Sequence, residues 1–147
     1  MSKSSFVSLA IAAFLSLLAS ASGAQPLSGT WLTEDGSSRV RFEACGSNIC
    51  GQIVWLKEPN DPATGKAWLD KFNPQANLKH RPLLGLTLLS ELGQINNGKY
   101  EGKIYNPLDG RTYNGKLTPE GESKLKLKGC ALAGLLCQSE IWTRVTE

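Results

Sequence analysis

The 147-residue chain has one histidine, His80, and none of its four cysteines forms a C-x-x-C pair. Zinc knuckles need that spacing or more imidazole ligands, so no metal site and no cofactor are expected. There is no G-x-S-x-G turn, and no pair of carboxylates flags itself. Catalysis is thereby left without an activated nucleophile or an obvious acid–base couple. Charge of one sign is scarce as well. The formal net charge of +3 is too small to argue for nucleic acid.

Long apolar runs are almost absent, and the one present sits at the N-terminus. Lys3 precedes the apolar stretch Phe6–Leu18, interrupted by Ser8 and Ser16, and small residues follow from Ala19 to Ala24. Those three parts make a secretory signal. Its 13 apolar-run residues fall short of the roughly 20 that span a bilayer. Ser22 and Ala24 favour cleavage before Gln25, with cleavage after Ala21 the alternative. No cysteine adjoins either point, so an acyl anchor is not expected. Residues 1–24 are thus read as signal peptide and 25–147 as one exported domain, not membrane-spanning and monomeric. Without Lys3, 15 basic residues stand against 13 acidic ones. A chain of this length buries a real but modest core.

Cys45, Cys50, Cys130 and Cys137 all lie in the mature part. An even count in an exported chain reads as disulfides, with three connectivities open. The local pairs Cys45–Cys50 and Cys130–Cys137 are favoured, because CGSNIC and CALAGLLC are short glycine-containing loops between expected strands. Closing loops this short is worth roughly 2 kcal/mol each.

The mature sequence reads as short strands with turn chemistry between them and no convincing long helix. Expected strands are 28–33, 38–44, 52–56, 83–90, 99–106, 111–117, 123–129 and 138–145. Val40, Phe42 and Ala44 alternate with Arg39, Arg41 and Glu43, as on a half-buried strand. Asn96-Asn97-Gly98 and Thr118-Pro119-Glu120-Gly121 read as turns. Residues 57–82 carry four prolines and form a long loop, with a helical turn expected near 67–72. Trp68 and Phe72 within it need cover, so the loop should fold back over the domain. Eight strands with short antiparallel links predict an all-β sandwich or up-and-down barrel.

The hairpin of 99–106 and 111–117 can be registered by hand. If Asn106 faces Arg111, then Tyr100 faces Leu117, Gly102 faces Gly115 and Ile104 faces Tyr113 on one side. Glu101 meets Lys116 on the other. The facing glycines leave a gap for an aromatic ring or, less favoured, for a ligand.

Several clusters invite a chemical reading. YNPLDGRTY combines turn residues with aromatics; Tyr105, Asp109, Arg111 and Tyr113 could form a polar rim at a barrel mouth. Among the tryptophans, Trp55 and Trp68 are candidate ligand contacts, although four tryptophans in so small a domain serve the core first. Asp70 and Asn73 are expected to cap backbone in the long loop, and His80 to be an ordinary exposed residue. Lys124, Lys126 and Lys128 share one face beside Lys103 and Lys116. That stripe reads as a solvated outer face that discourages edge pairing, or as a surface for anionic lipid headgroups.

Two resemblances add to this reading. Gly29-Thr30-Trp31 with Arg144 in the last strand resembles the calycin barrels, the group that includes lipocalins, and implies that Arg144 packs across Trp31 to close the barrel base. A more specific likeness spans nearly the whole mature chain. It is carried by GTW at 29–31, CGSNICGQIVWL at 45–56, D-x-x-N-P at 70–74, RPLLGL at 81–86, YNPLDGRTY at 105–113, KGC at 128–130 and WTR at 142–144. The sequence resembles the bacterial exported family called domain of unknown function 2147. The resemblance implies a lipocalin-like fold and a periplasmic location, and it brings no reaction and no ligand. The leading expectation is a periplasmic binding module for a small, partly apolar ligand. The alternative is a cell-envelope interaction or stress protein that binds a protein, glycan or lipid surface without an internal ligand, which a packed barrel interior would favour.

Overall fold

The computed structural model describes residues 27–146; the expected signal peptide and its cleavage point lie outside them. Eight antiparallel strands close into one barrel in the order β1 to β8, each paired with its sequence neighbour and β8 with β1. They are β1 Gly29–Leu32, β2 Ser38–Cys45, β3 Asn48–Leu56, β4 Thr87–Gln94, β5 Tyr100–Asn106, β6 Arg111–Glu120, β7 Lys124–Ala131 and β8 Leu136–Arg144. Among the described residues helical structure is confined to three single turns at 76–78, 96–98 and 132–134. Among the described residues no helix is long and apolar enough to cross a membrane.

Period-two patterning sets which side faces inward. On β7, Leu125 and Leu127 are buried while Lys124, Lys126 and Lys128 are exposed. On β2, Ser38, Val40 and Phe42 are buried. The inward side chains pack tightly at mid-height: a Cβ added at Gly51 would sit 2.9 Å from Leu89, 3.0 Å from Phe42 and 3.1 Å from Val40. The interior is thus filled by side chains there, as small barrels allow. Burial of this apolar layer is the main stabilising term, at about 25 cal/mol per Å².

The register of β5 and β6 is the one read from the sequence, with Tyr100 opposite Leu117, Gly102 opposite Gly115, and Asn106 opposite Arg111. Lys116 and Glu101 form an ion pair of 2.9 Å on the outer face. Aliphatic groups and backbone come closest to the two glycines. Ile104 occupies the space a Cβ at Gly115 would need, and the Leu92 side chain and Ser90 carbonyl occupy that at Gly102.

Both local disulfides are present, Cys45–Cys50 and Cys130–Cys137. CGSNIC is less a loop than a tight hairpin: β3 already starts at Asn48, opposite Cys45. β6 likewise runs on through Pro119 to Glu120, so its turn falls later than expected. The fourth strand is displaced most, starting at Thr87 rather than Leu83. The apolar run Leu83–Leu86 is a turn instead, with the Leu86 amide donating to Leu83 and Gly85 at φ 88°. β4 then continues to Gln94 across a bulge where Glu91 takes φ 55°; the bulge breaks the alternation that would have marked the strand.

The barrel has two unlike ends. Ser28, the β2–β3 hairpin, the β4–β5 link and Arg144 lie at one, here the arginine end. The β1–β2, β5–β6 and β7–β8 turns lie at the other, together with the long segment 57–86, here the strap. The strap holds no helical turn at 67–72; residue pairs Asn60–Ala67 and Leu69–Pro82 bridge across it instead.

Candidate functional site

At the arginine end, the Trp31 indole donates to the Leu27 carbonyl at 3.1 Å. The Arg144 guanidinium lies 4.2 Å from the Trp31 ring centroid and donates to the Ser28 and Glu122 carbonyls. Trp31 is fully buried. A stacked cation this well held is worth about 2 kcal/mol, so Trp31 and Arg144 form a structural closure between β1 and β8.

At the strap end a polar lock holds the strap to the barrel. Asp70 is fully buried. Its Oδ1 accepts from the Tyr105 hydroxyl at 2.6 Å, and its Oδ2 accepts from Asn73 Nδ2 and Arg81 Nε, each at 2.8 Å. Asn73 Nδ2 also reaches the Tyr105 hydroxyl at 3.1 Å, and Arg81 lies 5.7 Å from the Tyr105 ring centroid. Burial alone would raise the Asp70 carboxyl, but the bonds from Tyr105, Asn73 and Arg81 and the Arg81 charge hold it below its usual value. Tyr105 is pushed up by burial and by its bond to Asp70. Asp70 therefore does not cap backbone as expected; Asn73 does, accepting from the Gln75 amide at 2.8 Å. Beside the lock, Gly110 packs so closely on the Phe72 carbonyl that no side chain fits there. His80 is exposed, outside the lock.

The candidate residues read from the sequence all lie toward this end, and three of them, Asp109, Arg111 and Tyr113, gather at the β5–β6 turn. Tyr105 serves the lock. The Tyr113 hydroxyl donates to Asp109, and that bond pushes the phenol up. Asp109 also accepts from the Arg111 amide at 2.9 Å, fixing the β5–β6 turn, while the Arg111 side chain is exposed. Trp55 stands on the outer face of β3 with Arg39 stacked 4.6 Å from its ring. Trp68 is half-buried on the strap, with Lys71 Nζ 5.6 Å away. Among the described residues no cluster of three or more metal-ligating side chains forms.

A recess lies at the opposite end, where sequence reading did not look. Its volume is about 420 Å³, and it opens between the β2–β3 hairpin, the end of β4 and the start of β5. Phe42, Ile49, Leu92 and Tyr100 supply its apolar side, and Ser28, Glu43, Ser47, Asn48 and Gln94 its polar one. Tyr100 is 1% exposed and lines the recess. Burial pushes that phenol above its usual value, so it is a neutral donor at physiological pH. Nothing in the sequence marks it, because an inward tyrosine on a strand looks like any core aromatic.

Comparison with known proteins agrees with the barrel. No curated protein matches the chain. A solved structure, HP1028 from the human pathogen Helicobacter pylori, described as belonging to the lipocalin family, superposes with a TM-score of 0.69 at 25% identity. The match covers 82% of this chain and 84% of that one. The family model DUF2147, an uncharacterised protein conserved in bacteria, matches residues 29–144, and the chain belongs to that family.

Proposed function

We propose that this chain is an exported, periplasmic binding module for one small, partly apolar ligand, seated in the recess at the arginine end rather than under the strap. The observation that carries the reading is the recess of about 420 Å³ itself, with the nearly buried Tyr100, a neutral donor, on its wall. That volume lies in the range of small-molecule sites, which combine apolar walls with a few placed polar groups. Glu43 is the one charged residue among the recess-lining residues, so an uncharged or cationic ligand is favoured over an anion. A carbonyl or ether oxygen on an apolar body would accept from Tyr100. The packed mid-barrel argues that such a ligand sits at the end of the barrel and does not thread it. Two disulfides suit an oxidising compartment, and the lipocalin likeness of the fold is compatible with small-ligand binding, though fold alone does not imply it.

Native mass spectrometry of protein recovered from a bacterial periplasm tests this. Extra mass seen only under native conditions is expected, and Ala44→Trp, which fills the recess from its rim, should abolish it. A chain that stays bare after exposure to envelope lipid extract, or a ligand indifferent to Ala44→Trp, refutes the proposal.

A further inference from the structure

Nine large hydrophobic side chains are exposed among the described residues, and eight of them lie at the strap end; the exception is Ile95. The most exposed are Leu135 at 88%, Leu108 at 77% and Leu132 at 71%. Leu108 tips the β5–β6 turn. Leu132, Leu135 and Leu136 tip the β7–β8 hairpin, whose segment CALAGLLC carries no charge.

That hairpin tip is held in place by its chemistry. Cys130 and Cys137 sit directly opposite one another and are bonded. Between them Leu132 and Ala133 take φ of 51° and 54°, followed by Gly134 at 89°. L-residues rarely adopt that region, and two in succession are strained. A strained, stapled loop that presents leucines to solvent is an unusual use of apolar residues. Monomeric proteins seldom group them at one end without a partner.

The surroundings indicate which partner. Lys71 packs on Trp68 and Phe72 at 5.6 and 5.4 Å, and Trp55 and Tyr113 stand at the same end. Apolar tips above a belt of Trp, Tyr and Lys is the composition of a lipid–water interface. On the outer face of β7, Lys128, Lys126 and Lys124 run back from the tip, exposed and without an ion pair among the described residues. Those charges complement anionic headgroups.

We propose that the strap end docks on the surface of an anionic phospholipid bilayer, with Leu108, Leu132 and Leu135 entering the boundary between headgroups and acyl chains. Lys128, the β7 lysine nearest the tip, then lies beside the headgroups, with Lys126 next behind it. The arginine-end recess faces away from the bilayer, and this docking does not depend on whether that recess is filled.

Flotation of the purified, oxidised chain with vesicles tests it. Binding is expected to vesicles of phosphatidylethanolamine and phosphatidylglycerol at about 3:1 and to weaken as salt rises. L132S/L135S should lower the partition at least roughly tenfold, with an unchanged melting curve because both side chains are exposed. Ile95→Ser, at the far end, should float like wild type. K126E/K128E should lose the preference for these vesicles over pure phosphatidylcholine. The proposal is overturned if wild type ignores the anionic vesicles, or if L132S/L135S floats as well as wild type. It is equally overturned if the loop captures a protein partner while vesicles are ignored.

Discussion

Asp70→Asn tests whether the lock, rather than turn propensity, fixes the strap. The change is isosteric but removes the charge and turns one acceptor oxygen into a donor. Three donors point at the wild-type carboxylate, from Tyr105, Asn73 and Arg81. Arg81 keeps 38% of its side chain exposed while Asp70 has none, so water compensates the arginine and not the other two. Bonds to a charged acceptor are worth about 1.5–3 kcal/mol each. Two dry ones, with partial recovery by the amide oxygen, give an expected loss of about 3 kcal/mol. Urea unfolding at neutral pH measures it, and limited trypsin digestion should show faster cleavage at Lys66, Lys71 and Lys79. A pH series adds a sign. The folded Asp70 value lies below its unfolded one, near 3.9. Its stabilisation is therefore present above that pH and lost as pH falls through the folded value. The variant should lack this component and keep that of Asp35, whose carboxyl is also held low: burial alone would raise it, but bonds from Ser37 and Thr33 outweigh that. A loss under about 0.5 kcal/mol with unchanged trypsin sensitivity would refute the reasoning.

Four further outcomes follow from single contacts. Gly110→Ala combines φ 70° with collision on the Phe72 carbonyl, so a loss of about 3 kcal/mol in urea unfolding is expected. Gly115→Ala lands on Ile104 and should lose about 2 kcal/mol; adding Ile104→Ala should recover part of it, a coupling that a double-mutant cycle reads directly. Replacing Cys130 and Cys137 by serine releases a short ring, and about 2.5 kcal/mol should disappear from the denaturation free energy. Tyr100→Phe should change stability by no more than about 1 kcal/mol, because Tyr100 borders the recess, while weakening any ligand in a titration; a larger stability loss would mean that the hydroxyl holds the fold instead.

Local rules carry much of the fold. The β5–β6 register follows from the Pro107–Gly110 turn and strict alternation, and both disulfides follow from loops too short to prefer another arrangement. Trp31 and Arg144 are readable only through likeness to calycin barrels, since the two residues meet across the closing seam. What escapes is non-local. Tyr105 and Asp70 are 35 positions apart, and an aspartate in a proline-rich loop looks like a backbone cap until the barrel brings a tyrosine to it. Leu83–Leu86 mimics a strand because an anchoring turn and a strand both need consecutive apolar residues. The bulge at Glu91 then hides the real β4 by shifting its period. The recess is assembled from the ends of four strands, so no contiguous motif could announce it.

The lock also bears on where a ligand can enter. If loss of the Asp70 bonds costs about 3 kcal/mol, a strap opened only by breaking them is populated at roughly one part in 100 to 200. A site reached solely through that opening would show an apparent affinity weakened by the same factor. Binding energy would first have to overcome the exposure of a carboxylate that is fully buried when the strap is closed. The arginine-end recess carries no such burden, because it is already open and Tyr100 already lines it. The same asymmetry suits the strap end to a surface role: a strap fixed by buried charge holds Phe72 and the neighbouring Leu108 turn rigid, and a rigid apolar edge loses less entropy on docking than a mobile one.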